Sequence, residues 1–162
     1  MDNLIFSNDQ NLIKICISKD IINELCEICV SSLPNEIGGI LIGRYVENNT
    51  CAKITEVLKA SKDSKGGPTW FYRGTFGIKK RLDKFWKEKG LYYIGEWHYH
   101  PNSSSNLSNQ DISQMISISY NSSYKCPEPI LLIIGGNSKL WEYNTYIFPK
   151  GGNFVRFNKI TS

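Results

Sequence analysis

The segment Glu36-Ile37-Gly38-Gly39-Ile40-Leu41-Ile42-Gly43-Arg44-Tyr45 constrains this chain more than any other. Ile37, Ile40, Leu41 and Ile42 make a buried strand. Glycines inside a strand weaken it, so Gly38, Gly39 and Gly43 point to a backbone or ligand that approaches too closely for side chains.

The elements around it follow from periodicity. Residues 12–17 alternate, with Lys14 on one side, and predict a strand. Ser18 then offers an N-cap for a helix whose apolar positions Ile21, Ile22, Leu25, Ile28 and Cys29 repeat at helical spacing until Pro34 stops it. Asn48 and Asn49 turn the chain into a strand over 51–58. Residues 59–68 are polar and contain glycine, which predicts a loop, with a short strand over 69–72. A second helix turns Ile78, Leu82 and Phe85 inward, and its Lys79, Lys80, Arg81, Lys84 and Lys87 read as a solvated face. A strand over 92–100, a polar loop over 101–107 and a third helix over 108–120, with Ile112, Met115 and Ile116 inward, come next. Strands over 130–134, 140–148 and 154–157 are separated by Gly135-Gly136 and Gly151-Gly152, turn signals that favour antiparallel hairpins. The fold class is therefore α/β (α+β): one domain over 1–162 with a curved, mostly antiparallel sheet flanked by helices.

Composition narrows the function. No apolar run is long enough for a membrane span, and residues 1–10 lack the features of a signal peptide, so a cytoplasmic protein is expected. Five unevenly spaced cysteines in 162 residues argue for reduced thiols and against a disulfide framework. Lys plus Arg exceed Asp plus Glu by 19 − 15 = 4, too small an excess for a nucleic-acid protein. Cys26-x-x-Cys29 reads as helix packing. The aromatics Trp70 to Tyr72 read as core, with Arg73 kept as a candidate substrate contact.

The chemistry concentrates in Gly95-Glu96-Trp97-His98-Tyr99-His100-Pro101, which contains the chain's 2 histidines. Residues two apart on a strand share a face, so His98 and His100 can converge on one metal ion while Trp97 and Tyr99 turn to the core. Asp111, three residues after Ser108 at a helix start, can fold back as a third, anionic ligand. Three protein ligands leave one position open, as in catalytic zinc sites. The competing reading is a capping box between Ser108 and Asp111, and the carboxylate is not expected to cap and ligate together. A hydrolase also needs a general base. Glu96 shares the histidine face, Glu36 opens the glycine-rich strand, and spacing does not choose between them.

Glu36 with its glycine-rich strand, His98-Tyr99-His100-Pro101, and Ser108-x-x-Asp111 after a seven-residue spacer together resemble the signature of the JAMM (JAB1/MPN) zinc metalloproteases. The resemblance implies a JAB1/MPN-like, cytidine-deaminase-like architecture and one Zn2+ per chain on His98, His100 and Asp111. It makes Glu36 the general base, Ser108 the oxyanion donor, and Glu96 a supporting residue. Trp70 to Gly74, Leu82-Asp83-x-x-Trp86 and Gly95 to His98 are similar to a bacterial branch associated with CBASS antiphage defence. That branch implies a deubiquitinase-like isopeptidase that frees a cGAS-like nucleotidyltransferase from its conjugates, acting on an extended C-terminal tail. Leu107 and Tyr99 depart from common family residues at the rim. The alternatives are the same chemistry on a ubiquitin-like or sulfur-carrier tail, and a non-catalytic interaction module.

Overall fold

The computed structural model describes residues 3–160; both ends of the expected 1–162 span lie outside them. In chain order the elements are β1 (Asn3–Asn8), β2 (Asn11–Ser18), α1 (Lys19–Ser32), β3 (Ile37–Val46), β4 (Cys51–Lys59), β5 (Lys65–Gly67), β6 (Trp70–Tyr72), α2 (Ile78–Lys89), β7 (Tyr92–Pro101), α3 (Asn109–Tyr120), β8 (Ile130–Asn137), β9 (Leu140–Ile147) and β10 (Val155–Lys159), with a 3-10 turn at Ser122–Tyr124 before β8. The fold is α+β with a sheet core. Among the described residues no helix is long and apolar enough to cross a membrane.

The curved, mostly antiparallel sheet closes into a barrel in the order β1-β10-β9-β8-β7-β3-β4-β2. The strand that closes it, β1, went unassigned in the sequence because only Phe6 among its residues is buried. It forms by pairing antiparallel to both β2 and β10. Pairing is antiparallel throughout except for β2 with β4 and β7 with β8.

Alternation along the strands divides the apolar residues between two cores. Leu41, Ile130, Leu132, Ile134, Trp97 and Tyr99 share one with the buried stripe of α1, whose first turn is capped by Ser18 Oγ accepting from the Ile21 amide at 3.3 Å. Ile40, Ile42, Leu131 and Ile133 share the other with Ile78 of α2 and Met115 and Ile118 of α3. β8 is thus buried on both faces, which explains its uninterrupted apolar run.

Several local expectations change. Gly135 and Gly136 lie within β8, and the hairpin turns two residues later, at 138–139. A side chain at Gly135 would strike the backbone of Ser103 to Ser105, so the glycine admits the loop after β7 instead of making a turn. The Gly136 amide donates to Ser103 O at 2.7 Å, and the Asn102 amide donates to Gly136 O at 2.9 Å. The predicted loop over 59–68 contains β5, which forms a two-stranded hairpin with β6 outside the barrel. Of the three aromatics on β6 only Phe71 is buried; Trp70 and Tyr72 are exposed, as strand alternation requires.

Ile116, expected inward, is 46% exposed. The inward stripe of α3 runs Asp111, Met115, Ile118 and Ser119 instead. Its first member is a carboxylate held at the two histidines, and that tether sets the rotation of the helix.

Candidate active site

β7 carries the centre. Glu96, His98 and His100 project to the face shared with α3, and Trp97 and Tyr99 fill the first core with no exposure. The glycines of β3 allow the close approach that their positions implied. A Cβ on Gly38 would lie 2.8 Å from His98 Cδ2 and 2.9 Å from Phe71 Cε1, so only glycine lets the strand, the imidazole and that ring meet.

Asp111 joins the histidines from α3. Its Oδ1 lies 2.7 Å from His98 Nδ1 and its Oδ2 lies 3.3 Å from His100 Nε2. The capping box is present as well: the Ser108 amide donates to Asp111 Oδ2 at 2.8 Å and the Asp111 amide to Ser108 Oγ at 3.1 Å. One carboxylate thus bonds the helix cap and both imidazoles at once, because its two oxygens offer about four acceptor positions. Ser108 accepts through its oxygen, which leaves its hydroxyl hydrogen free to donate elsewhere.

Burial pushes the Asp111 carboxyl up, but hydrogen bonds from His100 and His98 outweigh it and hold the group well below the ordinary carboxylate range. Burial lowers the His100 imidazole, and the bond to Asp111, the charges of Asp111 and Glu36 and the Ser104 carbonyl together more than reverse that, so His100 is raised overall.

The register of β3 against β7 places Glu36. Ile37 pairs with Tyr99 and Gly38 with His98, so Glu36, one residue earlier, stands at the strand end beside His100. Its half-buried carboxyl is raised, first by burial and then by Asp111, against the lowering pull of His100 and His98. It lines a cavity of about 260 Å³ together with Ile37, Lys65, Gly66 and Phe71. Another cavity, about 220 Å³ and lined by Cys16, Lys53 and Thr55, shares no residue with this centre.

Glu96, the rival base, is fully buried and committed elsewhere. Arg73 donates through Nε to its Oε2 at 2.6 Å and through Nη2 to its Oε1 at 2.9 Å, and Tyr93 Oη donates to Oε1 at 2.8 Å. The suggestion that Arg73 touches substrate is corrected by the same pairing, since Arg73 is itself only 6% exposed. Sequence reasoning missed this ion pair and the role of Phe71, whose ring meets His98 edge to face at 5.9 Å between centroids. The signals were present, an aromatic on one short strand and an arginine directly after it, but their partners are distant in sequence.

Whether these residues suit a metal follows from their atoms. Among the described residues no three His, Cys, Asp or Glu side chains stand spread as a ready cage, because Asp111 contacts both imidazoles directly. The donor set nevertheless fits a cation. His100 Nδ1 lies 3.3 Å from Ser104 O, the arrangement that commits this nitrogen as a donor and leaves Nε2 with its lone pair towards Asp111. A lone pair facing a carboxylate needs a positive charge between them, a proton or a metal ion. His98 Nε2 is buried and has no hydrogen-bond partner. Two ligands of a tetrahedral zinc, each about 2.0–2.1 Å from it, lie about 3.3 Å apart, comparable to the His100–Asp111 separation.

Residues 18–145 match the model of the prokaryotic homologues of the JAB domain. A protein of Enterobacter hormaechei subsp. hoffmannii (strain UCI 50), described as a CD-NTase/cGAS isopeptidase, is 38% identical over 156 residues, covering 96% of this chain and 86% of that one. The solution structure of a protein from Desulfitobacterium hafniense superposes with a TM-score of 0.61 at 19% identity, over 90% of this chain and 89% of that one, a likeness of fold alone.

Proposed function

The chain belongs to the prokaryotic homologues of the JAB domain, and from that premise we propose that it is a zinc-dependent isopeptidase that cleaves after the C-terminal tail of a conjugated protein. The observation that carries the proposal is the meeting of His98, His100 and Asp111 on one buried face, with Glu36 beside them at the mouth of a cavity. His98, His100 and Asp111 would hold one zinc ion per chain. When bound, zinc supplies the Lewis-acid charge that activates water and polarises a carbonyl at neutral pH.

The chain's own groups do the rest. Glu36 removes a proton from the attacking water and delivers it to the departing amine, so that water and an amide become a carboxylate and a protonated amine. Its raised affinity for protons suits a group that must accept one and return it. The free hydroxyl hydrogen of Ser108 points the residue to oxyanion stabilisation, worth roughly 2.7–4 kcal/mol for one well-placed donor. Because the barrel is closed, the strand edges beside Glu36 among the described residues are those of the β5–β6 hairpin. An extended tail pairing there would bring its terminal amide to Glu36 through main-chain contacts.

The Enterobacter relative is described as a CD-NTase/cGAS isopeptidase, which supports a conjugate of a cGAS-like nucleotidyltransferase as the substrate; its C-terminus joined to a lysine or other amine, in antiphage defence of the CBASS type, is what the family resemblance implies. The test is a reporter fused behind such a tail, compared with the same tail held in a folded loop. Cleavage of the first alone supports the assignment. Equal cleavage of both would indicate a general peptidase, and cleavage of neither a binding module.

A further inference from the structure

We infer that the buried Arg73–Glu96 ion pair is a bolt that fixes the β5–β6 hairpin on the catalytic centre, making Arg73 and Phe71 positioning residues for His98 and Glu36. The inference rests on the isopeptidase reading for its kinetic consequences but not for its structural ones.

The hairpin touches Glu36 and His98 and reaches the neighbour of Asp111. The Glu36 amide donates to Gly67 O at 2.8 Å, so the base's own backbone is tied to β5. Phe71 on β6 presses against His98. Gln110, next to Asp111 on α3, donates to Phe71 O at 3.4 Å. Yet the hairpin is a separate two-stranded sheet, and such a unit is marginal without an anchor.

Arg73 follows β6 directly and supplies that anchor. Its fork grips Glu96, two residues before His98 on β7, while Nη2 also donates to Tyr124 Oη at 2.6 Å and Nη1 to Gly74 O at 2.9 Å. With side chains 3% and 0% exposed, the pair excludes water, and its two parallel bonds fix an angle as well as a distance. Buried ion pairs are often no more stabilising than apolar replacements, so this one is better suited to fixing geometry than to adding stability. Groups that orient a metal ligand typically change affinity or activity by about 10–100-fold when removed.

The test uses the neutral pair Arg73→Met with Glu96→Gln, which leaves no buried charge unpaired and keeps an acceptor for Tyr93. Its unfolding temperature should stay near that of wild type. Amide exchange at Glu36 and Phe71 should accelerate at least about tenfold as the hairpin loosens. Zn2+ affinity, measured by competition with a chromophoric chelator, should fall about 10–100-fold, and kcat on the tail fusion should fall similarly with KM little changed. Wild-type exchange, zinc affinity and kcat in a stably folded variant would overturn the inference. If wild type neither binds zinc nor cleaves the fusion while exchange responds as stated, the isopeptidase reading fails and the bolt stands. Should the neutral pair not fold, Arg73→Lys, which keeps charge but loses the fork, and Phe71→Leu, which loses the ring edge, take its place. Both must weaken zinc binding, and an unchanged affinity in either would overturn the inference.

Discussion

The two faces of β7 are equally buried and differ in whether their polar atoms are satisfied. On the inner face Trp97 Nε1 donates to Leu58 O at 3.1 Å and Tyr99 Oη to Gly136 O at 3.0 Å, so each polar tip has a carbonyl. On the outer face Glu96 is saturated by Arg73 and Tyr93, but His98 keeps a nitrogen with no partner and His100 faces a carboxylate. Burial therefore does not mark the reactive residues. Along β7 an unfilled valence marks the candidate reactive residues, and the same contrast separates the two glutamates: Glu96 lies closed inside an ion pair, whereas Glu36 borders a cavity.

The hardest blow to this contrast would come through the ligands. Replacing His98, His100 or Asp111 by alanine should take bound zinc from about one per chain to almost none and abolish hydrolysis, because each removes one of three donors. Elemental analysis of freshly purified protein decides it, and fully active wild type free of zinc would break the contrast. A chelator should likewise abolish activity, and added Zn2+ should restore it.

Glu36→Ala should retain zinc and fold while turnover falls by roughly 10²–10⁴, the usual contribution of a general base. Parallel zinc and rate measurements read this directly. A smaller loss than that of Glu96→Gln would reverse the assignment of the two carboxylates.

For Ser108→Ala, turnover should fall by about 10²–10³ if the hydroxyl stabilises an oxyanion. Loss of the helix cap should cost about 1 kcal/mol of stability besides. Denaturant unfolding measures the second effect, and a change in stability with unaltered turnover would leave Ser108 a cap alone.

The inner face should give the smallest catalytic effect. Trp97→Phe removes one hydrogen bond and some volume, and should lower stability by about 1–3 kcal/mol with turnover preserved. Lost turnover at intact stability would show that the inner face also tunes the centre.

Much of this was legible along the chain. The helix over Lys19–Ser32, its Ser18 cap and the inward Trp97 and Tyr99 follow from periods of 3.6 and 2, which one sequence records completely. The His-x-His pair and the Ser108–Asp111 spacing are local for the same reason. The short β1, the burial of Arg73 and the rotation of α3 that exposes Ile116 were not legible, because each depends on a partner far away in sequence.

By itself, then, the sequence determined which residues are able to bind a metal, cap a helix or fill a core, since those capacities reside in side-chain chemistry and short spacing. Spacing left the choice between two glutamates open and the family resemblance favoured Glu36; the physical reason that Glu36 meets the histidines lies in the tertiary structure alone. Glu96 shares their strand and face, but Arg73 arrives from 23 residues away and consumes its carboxylate. Glu36 is remote in the chain, and the antiparallel register of β3 against β7 sets it beside His100. Pairing register and ion-pair partners are properties of contacts between distant segments, and no local pattern encodes them.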